Sequence, residues 1–577
     1  MTLLGQYRQV SSPRRNLRHG ALAVTVLALG LSACSGSSGS GSSSSGQAGS
    51  STSGGILRLG TPATIASLNP FTTSNTLAFD SFEAMYPYLV QYDLRTDQIE
   101  ADFASSWQES ADGLTWTFHT RPNAKWSDGS KLTAADVAWT LNTIVKFEKG
   151  AAAEEAGNVV DMTKATATSA TTVEVQYSSP VADVLASLAQ VPVLPEHIWG
   201  KFATGNGSAL RKYSNLPKAG GSVVSGGPFI LTKYAANQIA LFQRNPGWYG
   251  PRPKIAGFGY QYFANSDSEV EALKSGQIDA ALGNPALPGT AIPSLQAAGF
   301  TIANVHATGF DDIIINSSPQ QAASHRELAN PKVREALEYA TDRNTIDKVA
   351  FLGYAQAGGS IVPPATGPWS DPSIKGLPYS IAQGNAVLDQ AGYKRGPGGI
   401  RIANGHPMSY TMLVSTDNGG EGTRAAAIMA TDYKKIGVNL NVQVVNDPTL
   451  NNDLYGNHYK NFELAQWGWD AFIDPNYILS VVTCAQLGNL SDSGYCDPAY
   501  DALFKKQAAT TNVAARQKIV YQMQQMIFNA RPYIIMEYVN VLEAWSKKWC
   551  GVLTSPDGFA TFFSKNPIEQ VHLCSGG

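Results

Sequence analysis

No apolar run after Leu31 approaches the ~20 residues that a membrane-spanning helix needs, so the body of the chain contains no expected span. Positive charge is not in surplus. The 42 Lys and Arg are outnumbered by 45 Asp and Glu, which excludes the basic footprint of a nucleic-acid binder. Cysteine is scarce, with five in 577 residues, and the eight histidines are scattered. No Cys/His spacing suggests a zinc centre, so no metal and no cofactor is expected. The chain also lacks a zinc-hydrolase His pair, a phosphate-binding lysine loop and a serine elbow. Gly420-Glu421-Gly422-Thr423-Arg424-Ala425 has glycines spaced like a dinucleotide fingerprint. The loop Ser415 to Gly422 is too long for the tight turn that fingerprint requires. These absences leave no catalytic motif, and the expectation is a protein that is not an enzyme. Internal repeats are absent too.

What is present begins at the N-terminus. Arg8, Arg14, Arg15 and Arg18 form a basic start without an acid, followed by the apolar run Ala21 to Leu31. That pattern is a secretory signal, too short to stay in a bilayer as a span. Leu31-Ser32-Ala33-Cys34 is similar to a bacterial lipobox, which makes Cys34 the expected lipidation site and residues 1–33 a removed signal peptide. Arg14-Arg15 keeps twin-arginine export open beside the general route. Ser35 to Gly55 is almost wholly Ser and Gly. Such a segment stays a coil of ~25 Å root-mean-square span, enough to hold a body just off a membrane. Without the four signal arginines the formal charge is about −7, which suits a mildly acidic soluble body.

Assigning Cys34 to lipid leaves four cysteines. An even number in an exported chain favours disulfides. Three pairings are possible, and the local one, Cys484 with Cys496 and Cys550 with Cys574, is preferred. Each would contribute about 3 kcal/mol in the chain-entropy model.

Along the body, apolar periodicity predicts strands at 55–60, 171–177, 229–234, 238–244, 278–280, 310–316, 408–414, 438–445, 462–469 and 534–538. It predicts helices near 77–88, 133–145, 266–275, 331–342, 422–436 and 512–530, with Thr133 and Asp136 as a capping box. Residues 101–118 read as a turn and a strand. The strands 408–414 and 438–445, joined by a helix, form a βαβ unit and should be parallel. The fold class is α/β.

Several segments in one order resemble a single family. They are Ala104-Ser105-Ser106-Trp107, Asp112-Gly113-Leu114-Thr115-Trp116-Thr117-Phe118, Trp126-Ser127-Asp128-Gly129 and Leu132-Thr133-Ala134-Ala135-Asp136-Val137. Gly226-Gly227-Pro228-Phe229, Arg244-Asn245-Pro246, Trp248-Tyr249-Gly250, Ser275-Gly276-Gln277-Ile278-Asp279 and Val333-Arg334-Glu335-Ala336-Leu337 to Arg343 continue the series. Together they resemble the large peptide- and nickel-binding solute-binding proteins of ABC importers. The resemblance implies a two-lobed periplasmic-binding-protein type II fold with an extra domain inserted in the first lobe. Lobe I would comprise 56–98, 225–308 and 546–577, the inserted domain 99–224 and lobe II 309–545, with crossings near 308 and 545. It implies a monomer that closes on a small ligand, and the lipid expected on Cys34 would anchor that monomer to the extracytoplasmic face of the cell membrane. The ligand would pass to an ABC permease and its ATPase. A di- or oligopeptide is the first expectation. An oligosaccharide, a metal chelate or haem, or a sensor without a permease, are the alternatives.

The resemblance also suggests a site. Asp470, in Trp467-Gly468-Trp469-Asp470, occupies the place of an aspartate that pairs with a ligand amine, with Trp467 and Trp469 as flanking apolar faces. Three residues rather than two separate it from Asp474-Pro475. Thr73 and Asn75 in one loop, and Pro364 in another, are expected to face the cleft.

Overall fold

The computed structural model describes residues 54–574 except 74, 94, 97, 219–220, 283–286, 319–322, 417–418, 457–458, 460 and 554–564. The expected signal, Cys34 and most of the Ser/Gly segment lie outside the described residues. Among those described, no helix is long and apolar enough to cross a membrane.

Twelve strands form one extended sheet. They are β1 (Ile56–Thr61), β2 (Phe229–Ala235), β3 (Ile239–Arg244), β4 (Gly257–Tyr262), β5 (Ala280–Ala281) and β6 (Thr301–His306). Then come β7 (Gly309–Ile315), β8 (Ala355–Ala357), β9 (Ser409–Ser415), β10 (Asn439–Val445), β11 (Leu464–Asp470) and β12 (Tyr533–Trp545). The order is β10-β9-β11-β7-β12-β5-β1-β4-β3-β2, with β6 and β8 also on β12. β9 and β10 pair in parallel, as a βαβ unit requires. A separate antiparallel sheet of four strands spans Ala104–Glu109, Thr115–Thr120, Thr172–Tyr177 and Met162–Ser169. The stretch 101–118, expected to hold one strand, thus supplies a strand and most of a second, because Asp112-Gly113 turns the chain between them. The helix Ala134–Phe147 starts at a capping box of Thr133 and Asp136.

The apolar residues separate into different cores. Leu57, Leu59, Phe229, Phe242 and Phe258 share one with the four-stranded sheet. Ile313, Met412 and Met536 lie in a second, and Phe310, Ile314 and Tyr533 in a third, on opposite faces of β7 and β12. The chain passes between these bodies at residues 307–308, where β6 ends and β7 begins. β12 is the other link. It pairs with β7 through Tyr533–Glu537 and with β6 through Asn540–Trp545. Its side chains change cores between Val539 and Val541. Along β12 the side chains thus pass from one core to the other around Asn540. The strand read as ending at Tyr538 runs on to Trp545 because β6 and β5 continue its hydrogen bonding.

Two disulfides tie local loops, Cys484–Cys496 and Cys550–Cys574. The glycines Gly420 and Gly422 lie within the first turn of the helix Gly419–Lys435, not in a loop. A dinucleotide fingerprint needs its glycines at the tight strand-to-helix turn, so that reading has no support here.

Candidate functional site

β7 and β11 run antiparallel, with Gly309 opposite Asp470 and Asp311 opposite Gly468. Cross-strand partners share a face, so both carboxylates rise on the same side of the sheet. The glycines make the room. A Cβ on Gly309 would stand 2.6 Å from Asp470 Oδ1, and one on Gly468 would stand 2.9 Å from Asp311 Oδ1. Asp470 lies at the neck of the molecule, because the next residue, Ala471, donates its backbone N–H to Thr308 O at 3.2 Å.

Asp470 remains open to solvent, yet removal of water by the surrounding protein raises its pKa. Asp311 goes further. Desolvation, then repulsion from Asp470 and Glu421, pushes it up to about 7. Glu537, opposite Asp311 on β12, is pushed to about 9 by burial foremost. Neither of its oxygens has a hydrogen-bond partner. Burial thus holds all three acids of this face above the usual carboxylate range. A cation placed among them replaces protons instead of adding charge.

The opposite face of the same strands carries a second acid pair. Asp312 is fully buried without a hydrogen bond, and burial followed by the field of Asp492 raises its pKa. Asp492 accepts from the Tyr533 hydroxyl and, at 2.9 Å, from Trp469 Nε1.

That contact shows where the expected residues fall. Successive residues of a strand alternate faces. Trp467 and Trp469 turn to the core of Phe310 and Tyr533, while Asp470 turns the other way. The tryptophans therefore do not flank the Asp470 carboxylate, a correction that follows from the pleat. Asn75 caps the helix Thr76–Met85 by accepting from Ala78 N at 3.1 Å, and Thr73 Oγ1 accepts from Asn75 N at 3.3 Å. Both side chains are engaged within their own loop. Pro364 is exposed at the start of a turn, Pro364–Trp369, against the helix Val513–Ala530. Asp474, after the three-residue spacer, pairs with Arg516 through both oxygens at 2.5 and 2.7 Å.

Asp311 and Glu537 were missed in the sequence. A signal existed for the first, since Asp311-Asp312 lies in a strand whose next residues, Ile313-Ile314-Ile315, are buried on both faces. An acid in such a strand is out of place unless it has a task.

Two bodies joined by adjacent antiparallel strands, with a cluster of acids at the join, define the class of two-lobed binding proteins. Residues 98–489 match the bacterial extracellular solute-binding proteins, family 5 Middle, and the chain belongs to that family. Among similar proteins is the nickel-binding periplasmic protein of Escherichia coli (strain K12). It is 25% identical over 525 residues, 88% of this chain and 93% of that one. An ABC transporter substrate binding protein, CtaP, from Listeria monocytogenes shares the fold with a TM-score of 0.77 at 20% identity, over 90% of this chain and 99% of that one. The oligopeptide-binding protein AppA of Bacillus subtilis, solved with a nonapeptide, does so with a TM-score of 0.71 at 20% identity, over 91% and 100%. This chain is thus an extracytoplasmic solute-binding protein.

Proposed function

We propose that the protein captures a peptide with a free amino terminus at the neck between its lobes and delivers it to an ABC importer. The observation that carries this reading is the water-accessible Asp470 carboxylate backed by the protonated or half-protonated acids Asp311 and Glu537. An ammonium group there gains a charge-assisted hydrogen bond in a poorly hydrated setting. The nonapeptide held by a protein of the same fold supports the ligand class. The relative named for nickel makes a cationic metal complex the second reading, since the same acids would attract it.

In this proposal residues 56–98, 225–308 and the chain after β12 form the first lobe, with 99–224 inserted in it. The second lobe begins at 309 and ends at the Asn540 crossing. Closure buries the ligand and shifts the open–closed population. Cys34 carries the lipid that holds the monomer at the outer face of the membrane, and the protein binds without catalysing.

The test is calorimetric titration of the parent and Asp470→Ala with one peptide in free and N-acetylated form. The expected result is a loss of at least tenfold in affinity for the free peptide on mutation, with the acetylated form weak in both. Equal affinity of parent and variant for both forms would remove Asp470 from the site. A response to a nickel chelate alone would favour the second reading.

A further inference from the structure

We propose that this protein carries a second site, far from the neck, built from His325, Glu327 and His406 to hold a divalent transition ion of the zinc class. One donor atom from each residue lies within 4.8 Å of the others. His325 Nδ1 stands 3.9 Å from Glu327 Oε1, and the two imidazole rings are 5.6 Å apart. His325 Nδ1 and His406 Nε2 are buried and make no hydrogen bond. Buried polar atoms are almost always paired. Two neighbouring ring nitrogens left bare beside a carboxylate therefore mark a place for something that accepts lone pairs. Two imidazoles and one carboxylate form a donor set suited to zinc, with water as the fourth ligand. Tetrahedral zinc at ~2.0–2.1 Å sets its donors roughly 3.3 Å apart. The donor atoms now lie within 4.8 Å of one another, so a bound ion must draw them closer.

The surroundings orient the donors. His406 Nδ1 lies 3.4 Å from Pro407 O, which leaves Nε2 as the free lone pair. His325 Nε2 lies 3.7 Å from Glu463 Oε1, a charge contact longer than a hydrogen bond, and a modest ring rotation on metal binding would bring it into the carboxylate–histidine arrangement. Glu463 is itself fixed by Thr411 N at 2.9 Å. Glu327 is oriented by the Tyr410 hydroxyl at 2.9 Å and by Asn404 Nδ2 at 3.1 Å. Asn404 and Gly405, both with positive φ, make the tight turn that presents His406. The His325 side chain keeps 21% exposure, so an ion has a way in.

The sites are separate. Glu463 lies just before β11 and Asp470 ends it, which puts them about 20 Å apart at ~3.3 Å per residue. In the sequence the histidines seemed unrelated because 80 residues intervene between His325 and His406. The fold brings a turn and a hairpin onto the same end of β9.

The test uses tag-free, full-length protein stripped with EDTA, then titrated with zinc chloride alone and analysed for bound metal by mass spectrometry. One zinc per chain is expected in the parent, with a raised melting temperature. His406→Ala and His325→Ala should lose that ion, and Glu463→Gln should weaken it by roughly tenfold. Asp470→Asn should keep it. Peptide titration and circular dichroism of the His406→Ala variant should match the parent. His406→Gln, a smaller change on the hairpin, serves if the alanine variant fails to fold. Retention of stoichiometric zinc by the histidine variants, its loss in Asp470→Asn, or no zinc uptake by the parent would each overturn the proposal.

Discussion

Burial moves a set of acids in one direction. Glu155 illustrates it, held up to about 8 by desolvation against a single hydrogen bond from Asn158. Its folded pKa lies above the usual ~4.5, so between those values the folded chain keeps a proton that the unfolded chain releases. Stability from this group is therefore full at low pH and falls as pH rises towards 8. Glu155→Gln should flatten that fall and melt higher than the parent at pH 8, read from melting curves at pH 5 to 8. Asp311, near 7, has a functional counterpart. An ammonium bound beside it should release a fraction of a proton at pH 7, and affinity should rise between pH 6 and 8. Calorimetry in buffers of different ionisation enthalpy measures the release, and a zero value would exclude Asp311. Gly309→Ala tests the geometry. The new methyl would push against the Asp470 carboxylate, which swings into solvent, and stand 3.2 Å from the Trp469 carbonyl, so peptide affinity should fall several-fold with a modest fall in melting temperature.

Elements are tied by a buried hub. Glu338, near the end of the helix Pro331–Tyr339, accepts from Arg531 and, at 3.3 Å, from Arg343, and also from Leu377 N at 3.1 Å. Arg531 sits in the left-handed region just past the helix Val513–Ala530, and Arg343 begins the next helix and reaches Ile535 O on β12. Removing the acid leaves two guanidinium groups in the interior without their partner. Glu338→Ala should cost about 3–5 kcal/mol in urea unfolding. None of this hub was legible in the sequence, because its members are brought together by long-range packing. Elements with a local signal were legible. The capping box at Thr133, the βαβ unit from 409 to 445 and the hairpin of Phe229 to Arg244 stand within a few residues of expectation. The site was half legible. Asp470 could be singled out, but the face it shares depends on pairing with Gly309, and pairing partners are set by the tertiary fold.

At the scale of the molecule, two separate stretches meet across the neck. Asn476 Nδ2 donates to Asp183 Oδ2 at 3.0 Å, and Ala182 N donates to Ala508 O at 2.8 Å. Residues 182–183 belong to the stretch proposed as the insertion, and 476 and 508 to the proposed second lobe. Asp183→Ala should loosen this bridge, enlarge the ligand-free radius of gyration in X-ray scattering and weaken peptide affinity without touching the peptide. Unchanged scattering would show that the bridge does not set the population. The strand β12 has a consequence of another kind. It lies between β7 and β5 in the middle of the sheet, yet its residues, 533–545, are made after almost all of the others. The two halves of the sheet cannot join while the ribosome is still short of that strand. A chain made outward from its N-terminus therefore stays unfinished for nearly the whole of its synthesis.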